Sequence, residues 1–161
     1  MKSTTREPRV PSRARITAMI EVPINAQNLV EHLRVLFPEL EGSYQKVMSE
    51  WEGERSNYII IGNVLQPHFV NEVSKGKISE FLGRCAAFVE RVCKDGDTEA
   101  INVIWVRIFE WLIFRPQELK LLWPILGPET KANIRDAAHR WSEAARYQGR
   151  TKNLPEDNLP E

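Results

Sequence analysis

The fold is decided by residues 97–116, which read Asp-Thr-Glu-Ala-Ile-Asn-Val-Ile-Trp-Val-Arg-Ile-Phe-Glu-Trp-Leu-Ile-Phe-Arg-Pro. Apolar residues recur at helical spacing on one face of this stretch and also occupy its other faces. A helix that is apolar nearly all round either crosses a membrane or lies at the centre of a bundle. Arg107 and Glu110 interrupt the run, and its apolar part (101–114) is shorter than the ~20 residues that a bilayer span needs. The stretch therefore predicts a buried central helix at about 98–114.

The rest of the segment 25–147 also has the pattern of helices. Residues 77–94 are cleanly amphipathic, with apolar side chains at helical spacing. Residues 57–66 fit either a strand, because of their β-branched run, or a helix. We favour the helix, because the sequence contains no second clear strand to pair with it. These patterns predict an all-α, single-domain bundle of six or seven helices around the central helix.

Both ends of the chain are predicted to lie outside this helical domain. Residues 1–22 form a basic arm with no apolar periodicity, and residues 148–161 contain little to bury, so we expect both to be disordered. The arginines of the arm allow two interpretations, a nucleic-acid-binding segment or a solvated leader. No aromatic residue lies among these arginines to stack on a base, which favours the leader.

Composition limits the class of partner and the compartment. The chain has 22 basic and 22 acidic residues, so its overall field does not favour nucleic acid. Cys85 and Cys93 lie eight residues apart in one predicted helix, about 12 Å along its axis. A disulfide needs Cα atoms within about 7 Å, so the two cysteines cannot pair with each other. Free cysteines suit a reducing compartment, and no signal peptide or membrane segment is evident, so we expect a cytoplasmic protein.

No motif for catalysis, metal binding or cofactor binding is visible. Arg107 and Glu110 stand three residues apart in the most apolar helix, and we expect them to form an ion pair rather than an active site. The three histidines lie on three different predicted helices, each without a second ligand at metal-binding spacing, and surface positions are expected for them. We therefore expect no catalytic, metal or cofactor site, and no enzymatic activity.

Aromatic residues near helix ends are the candidate binding residues. Trp51 and Trp123 lie beside predicted loops, where an exposed aromatic side chain could anchor a protein partner. Tyr58 and His68 are their neighbours in these regions. An alternative is that the two tryptophans close the ends of the core.

Four short motifs follow one another along the chain. They are Leu-Phe-Pro-Glu at 36–39, Phe-Val-Glu at 88–90, Phe-Glu-Trp-Leu at 109–112 and Leu-Gly-Pro-Glu-Thr at 126–130. Together they resemble a family of small, uncharacterised, all-helical bacterial proteins over roughly residues 25–140. Families of this type resemble the immunity proteins that are encoded beside bacterial polymorphic toxins. The resemblance implies a helical fold and a protein partner, and it carries over no catalytic residue.

Two functional hypotheses follow from these patterns. The first is a cytoplasmic immunity protein (an antitoxin) that binds and neutralises a cognate toxin encoded nearby, by stoichiometric protein–protein interaction and without a membrane. The alternative is a helical regulatory or nucleic-acid-binding protein that uses the arginine-rich N-terminal arm.

Overall fold

The computed structural model describes residues 12–52 and 56–161, and this part of the chain is an all-α single domain without strands. Its eight helices are α1 (Arg13–Glu21), α2 (Leu29–Leu36), α3 (Glu41–Glu50), α4 (57–73), α5 (Glu80–Asp95), α6 (98–112), α7 (Pro116–Leu122) and α8 (Pro128–Tyr147). Short 3₁₀ turns precede α3 (Pro38–Leu40), follow α7 (Trp123–Ile125) and lie near the end of the chain (Pro155–Asn158). None of the helices in the described segments is long and apolar enough to cross a bilayer.

The predicted central helix is α6, which packs against α4, α5 and α8. Its residues Ile104 and Phe109 are fully buried, as the apolar pattern predicts. The helix is nevertheless not enclosed all round, because Val106 is 38% exposed and Phe114, just beyond its end, is 53% exposed. One edge of α6 therefore belongs to the surface of the bundle.

Helices α4 and α6 each contain one wide π-helical turn. Helix α4 consists of Asn57–Ile60, the π turn Ile61–Leu65 and Gln66–Val73, and α6 consists of Thr98–Ile104, the π turn Trp105–Phe109 and Glu110–Leu112. The ambiguous segment 57–66 is thus helical, as favoured. Pro67 follows the first wide turn directly. Proline lacks the amide proton and clashes with the carbonyl four residues back, and the widened turn lets the helix continue past it.

The Leu-Phe-Pro-Glu motif is fastened to α5 by Arg84. The guanidinium donates a 2.8 Å hydrogen bond to the carbonyl of Leu36 and forms an ion pair with Glu39. It also lies over the ring of Phe37, with 5.3 Å between Cζ and the ring centroid. Phe37 is fully buried and meets Phe88 of the second motif edge to face. One arginine therefore fixes the turn between α2 and α3 against the core.

The Phe-Val-Glu and Leu-Gly-Pro-Glu-Thr motifs meet at the start of α8. The carboxylate of Glu90 accepts hydrogen bonds from the amides of Glu129 (3.0 Å) and Thr130 (2.8 Å) and from the Thr130 hydroxyl (2.7 Å). These are donors that the first turn of a helix cannot satisfy internally, so Glu90 caps α8 from another helix. A Cβ on Gly127 would lie 2.2 Å from the Glu90 Cδ, so only glycine leaves room for the cap.

The ends of the chain are more ordered than the sequence predicts. Part of the predicted arm forms α1, and Arg91 holds its end by donating to the carbonyls of Met19 (3.1 Å) and Val22 (2.8 Å). Residues 13–21 of the predicted arm are therefore helical, which brings the helix count to eight. Residues 1–11, with the remaining basic side chains of the arm, lie outside the described residues.

The C-terminal residues, expected to be disordered, pack on α8. Leu154 and Pro155 are buried, the amide of Glu156 donates to the Ser142 hydroxyl, and the side chain of Asn158 donates to the carbonyl of Ile113. The sequence did not reveal this contact because two apolar residues in a polar tail form no periodic pattern.

We predict that Glu90→Gln lowers the free energy of unfolding by about 1 kcal/mol at pH 7, because a neutral amide caps a helix less well than a carboxylate. Burial alone would raise the pKa of Glu90, but its hydrogen bonds to Thr130 and Glu129 outweigh this and lower the pKa below its usual 4.5. The stabilisation is therefore complete above pH 4.5 and is lost as the pH falls through the folded-state pKa. Urea denaturation of both proteins at several pH values should show the difference shrinking in acid. Glu50→Gln on α3 is the control, and a difference independent of pH would contradict the cap.

A second prediction couples Gly127 to the cap. The φ of Gly127 is −76°, which any residue adopts, so Gly127→Ala acts only through the collision with Glu90. We expect Gly127→Ala to destabilise the protein by about 1–2 kcal/mol, the range of a lost cap, and to cost little in a Glu90→Ala background. A double-mutant cycle by chemical denaturation measures this coupling. Additive costs would show that Gly127 is required for another reason.

Candidate functional site

The four predicted binding residues lie apart from one another. Trp51 ends α3 with 46% of its surface exposed, as an anchor requires. Tyr58 is half-buried and accepts a hydrogen bond from Asn102 on α6. His68 is exposed, and its Nε2 lies 3.1 Å from the Ser43 hydroxyl. No hydrogen bond or ring contact in the described structure joins any two of the four.

Trp123 is not an exposed anchor. Only 8% of its surface is accessible, and Lys131 and Arg135 of α8 lie over its ring at 5.4 and 5.1 Å from the centroid. The alternative interpretation, that it closes one end of the core, describes it better. A tryptophan beside a loop and a tryptophan covered by the next helix have the same local sequence, so the pattern could not distinguish them.

Four apolar side chains on α6, just beyond its end and on α8 are half-buried or exposed, and we call them the aromatic patch: Trp105, Val106, Phe114 and Trp141. Phe114 and Trp141 meet edge to face, with 5.7 Å between the ring centroids, yet Trp141 is 42% exposed. Trp105 is half-buried and donates through Nε1 to the Asn133 side chain. Edge-to-face pairs normally stabilise a core, and here one lies on the surface.

Two grooves border the aromatic patch. The first, of about 250 Å³, is lined by Thr98, Ile101, Asn102, Trp105, Asn133, Asp136 and Arg140. In it Arg140 lies over the Trp105 ring at 5.1 Å and is paired with Asp136 at 3.0 Å. The second, of about 100 Å³, lies between Trp141 and the C-terminal segment at Leu154. The patch therefore combines apolar rings with a rim of polar side chains, the composition of protein interfaces.

A second group of side chains consists of Arg107 and Trp111 on α6 and Arg115 just beyond its end. We call these three residues the arginine row. A Cβ on Gly62 of α4 would lie 2.9 Å from the Nε of Arg107, so the guanidinium rests directly on that glycine. Arg115 lies over the Trp111 ring, with 4.5 Å between its Cζ and the ring centroid. The row is thus positioned by packing against aromatic and glycine surfaces.

The expected ion pair between Arg107 and Glu110 does not form. The ion pairs within the described segments include neither residue, and the buried Nε of Arg107 has no hydrogen-bond partner there. The wide turn Trp105–Phe109 lies between them and enlarges the angle that separates positions three apart. Arg107 consequently faces α4 rather than Glu110.

The remaining candidates for chemistry lie inside the core. Burial raises the pKa of the Cys93 thiol to about 12 and raises that of Cys85 as well, so both are neutral thiols at pH 7. His32, expected at the surface, is fully buried, and neither of its ring nitrogens has a hydrogen-bond partner among the described residues. Burial lowers the pKa of His32, and the positive charge of nearby Arg91 lowers it further. No three metal-ligating side chains come together among residues 12–52 and 56–161.

Comparison with known proteins gives a family without an assigned activity. No curated protein and no solved structure matches the chain. Residues 30–142 match a family described as a domain of unknown function, DUF7674, and this match includes all four sequence motifs as well as Arg84, Glu90 and the aromatic patch. Because the match extends over most of its length, the chain belongs to the DUF7674 family.

Proposed function

We propose that this protein acts by stoichiometric binding to another protein, and that the partner is a toxin encoded nearby which it neutralises in the cytoplasm. The observation that supports this proposal best is the surface exposure of the Phe114–Trp141 pair. Large apolar side chains that cluster at a surface mark sites of protein association. Aromatic residues also contribute most of the energy at such interfaces.

The grooves beside the patch support binding rather than turnover. Asn133 accepts from the Trp105 indole and Asp136 pairs with Arg140, so the polar groups of the larger groove already have partners. This is the arrangement of an interface rim, where satisfied polar groups exclude water around apolar anchors. The groove lining contains no histidine, cysteine or serine that could act as an activated nucleophile or as its base.

The four motifs that resemble those of small helical, immunity-type proteins support a protein toxin as the partner. Three of the four fasten one helix to another: the first through Arg84, and the second and fourth through Glu90. Their role is to hold a rigid scaffold. A rigid scaffold that presents an apolar patch needs little ordering on binding, which favours a tight complex.

The test is co-expression with the product of the adjacent gene, followed by purification of the complex and measurement of growth. We expect relief of growth arrest and a complex of fixed stoichiometry. Phe114→Ala combined with Trp141→Ala should raise the Kd by about 100-fold, as expected for the loss of two interface aromatics. Both side chains are largely exposed, so the circular dichroism and Tm of the variant should change little.

Trp51→Ala is the matched control, since Trp51 has a similar exposed fraction on a different helix. It should change the Kd by less than threefold. If Trp51→Ala weakens binding and the double variant does not, the interface lies at the end of α3. If no complex forms and the adjacent product is harmless alone, the immunity function fails and the regulatory alternative, using the N-terminal arm, becomes the better hypothesis.

A further inference from the structure

We infer that the arginine row is a second contact site, which binds carboxylates on an acidic surface of a protein partner. The inference deepens the proposed function and rests on it for the identity of that partner. It is carried by two guanidinium groups, one on α6 and one just beyond its end, that packing holds in place and that have no carboxylate partner among the described residues. Nothing in the packing of the helical core requires a charge at either position.

Arg107 is positioned by unusual backbone. Its guanidinium lies against Gly62, where an added Cβ would come within 2.9–3.1 Å of Nε, Cζ and Cδ. Gly62 lies in the wide turn Ile61–Leu65 of α4, and Arg107 lies in the wide turn Trp105–Phe109 of α6. Single wide turns in α-helices are rare and occur frequently at functional sites. Here two of them meet at one arginine.

Arg115 is positioned by an aromatic ring. Its Cζ lies 4.5 Å from the centroid of Trp111, which in turn meets Phe69 edge to face at 6.0 Å. This stacking restricts the side chain before any partner arrives, so less conformational entropy is lost on binding. The planar group remains free at its edge, where a carboxylate forms two parallel hydrogen bonds.

Neither arginine of the row has a counter-charge among the described residues. Four other arginines form ion pairs with carboxylates: Arg34, Arg84, Arg140 and Arg146. The Nε of Arg107 is buried without a hydrogen-bond partner in the described structure, and a partner protein cannot reach this atom. A carboxylate would therefore act on the uncompensated charge of the guanidinium and not on this buried donor.

The chemistry favours an acidic protein surface over nucleic acid. Arg107 lies on α6 and Arg115 lies three residues beyond its end, so the row presents two separate positive charges, which suits two carboxylates on one protein surface. Binding to nucleic acid typically uses six to ten phosphate contacts, and two arginines in a chain of zero net charge supply far fewer. Trp111 is covered by Arg115 and Phe69, so it offers no open face for a base.

The first experiment needs no natural partner. Hexaglutamate peptide is titrated into the isotopically labelled full chain, and the side-chain Nε–H signals of the arginines are followed by NMR. We expect Arg107 and Arg115 to respond at a peptide concentration at least fivefold lower than Arg13, an exposed and unpaired arginine on α1. In Arg115→Gln, the apparent affinity at Arg107 should fall about fivefold. Equal responses of all three arginines would overturn the inference, as would tighter binding of a DNA duplex through the same two arginines.

The second experiment uses the complex with the adjacent gene product. Arg115→Glu should raise the Kd at least tenfold, and Arg115→Lys should have a smaller effect, because lysine keeps the charge but loses the stacked, two-hydrogen-bond contact. The control Arg13→Glu should change the Kd less than threefold. Arg107→Gln is expected to weaken binding as well. Because Arg107 packs on Gly62, the stability of this variant is measured first. If Arg107→Gln is destabilised, the Kd values of the Arg115 variants decide whether the carboxylate site exists.

The two proposals can fail separately. If the complex depends on Phe114 and Trp141 but not on Arg115, the carboxylate site is refuted and the protein-binding function stands. If hexaglutamate selects the row but the adjacent gene product does not bind, the carboxylate site stands and the toxin partner is refuted.

Discussion

The contact between the Glu90 carboxylate and the first turn of α8 is the constraint on which the arrangement of the helices depends. It fastens α5 to the first turn of the longest helix of the domain, along which α5 also packs. Thr130, which donates twice to this carboxylate, is fully buried, so the contact is protected from solvent. Helix α8 then carries Asn133, Arg140 and Trp141 to the edge of α6. The cap thus fixes where α8 begins, and α8 supplies one side of the aromatic patch.

Arg84 has the corresponding role with a positive charge, because it satisfies backbone acceptors where Glu90 satisfies backbone donors. It satisfies the carbonyl of Leu36 at the end of α2, whereas Glu90 satisfies amides at the start of α8. Both side chains project from α5, which consequently organises the domain from two positions. Three of the four sequence motifs are therefore held by contacts that α5 makes with the rest of the scaffold. The proposed binding residues Arg107, Phe114 and Trp141 lie outside the four motifs.

The sequence predicted those features that repeat with a helical period. The all-α class and the burial of Ile104 follow from spacing, and the helix at 57–66 follows from the lack of a second strand in the sequence pattern. Contacts between distant segments leave no such signal, which is why the pairing of Glu90 with Thr130, forty residues away, was not predictable. The exposure of Phe114 and Trp141 was hidden for a related reason, since an apolar residue has the same pattern whether the next helix covers it or stops short. Trp123 shows the opposite case, because Lys131 and Arg135 cover a ring that its local sequence places beside a loop.

The wide turns have a consequence for how this domain can vary. A regular α-helix rotates by about 100° per residue, so the additional residue in a π turn offsets everything after it by that angle. In a regular helix Ile104 and Leu112 would point about 80° apart, and the offset reduces this angle to about 20°, so that both reach the core. The wide turn thus absorbs one residue, and the side chains after it keep the directions of a regular helix that is one residue shorter. Losing the wide turn at the same chain length would rotate Phe114 by about 100° away from Trp141. The wide turn, and not the apolar pattern alone, therefore decides which side chains form the surface pair.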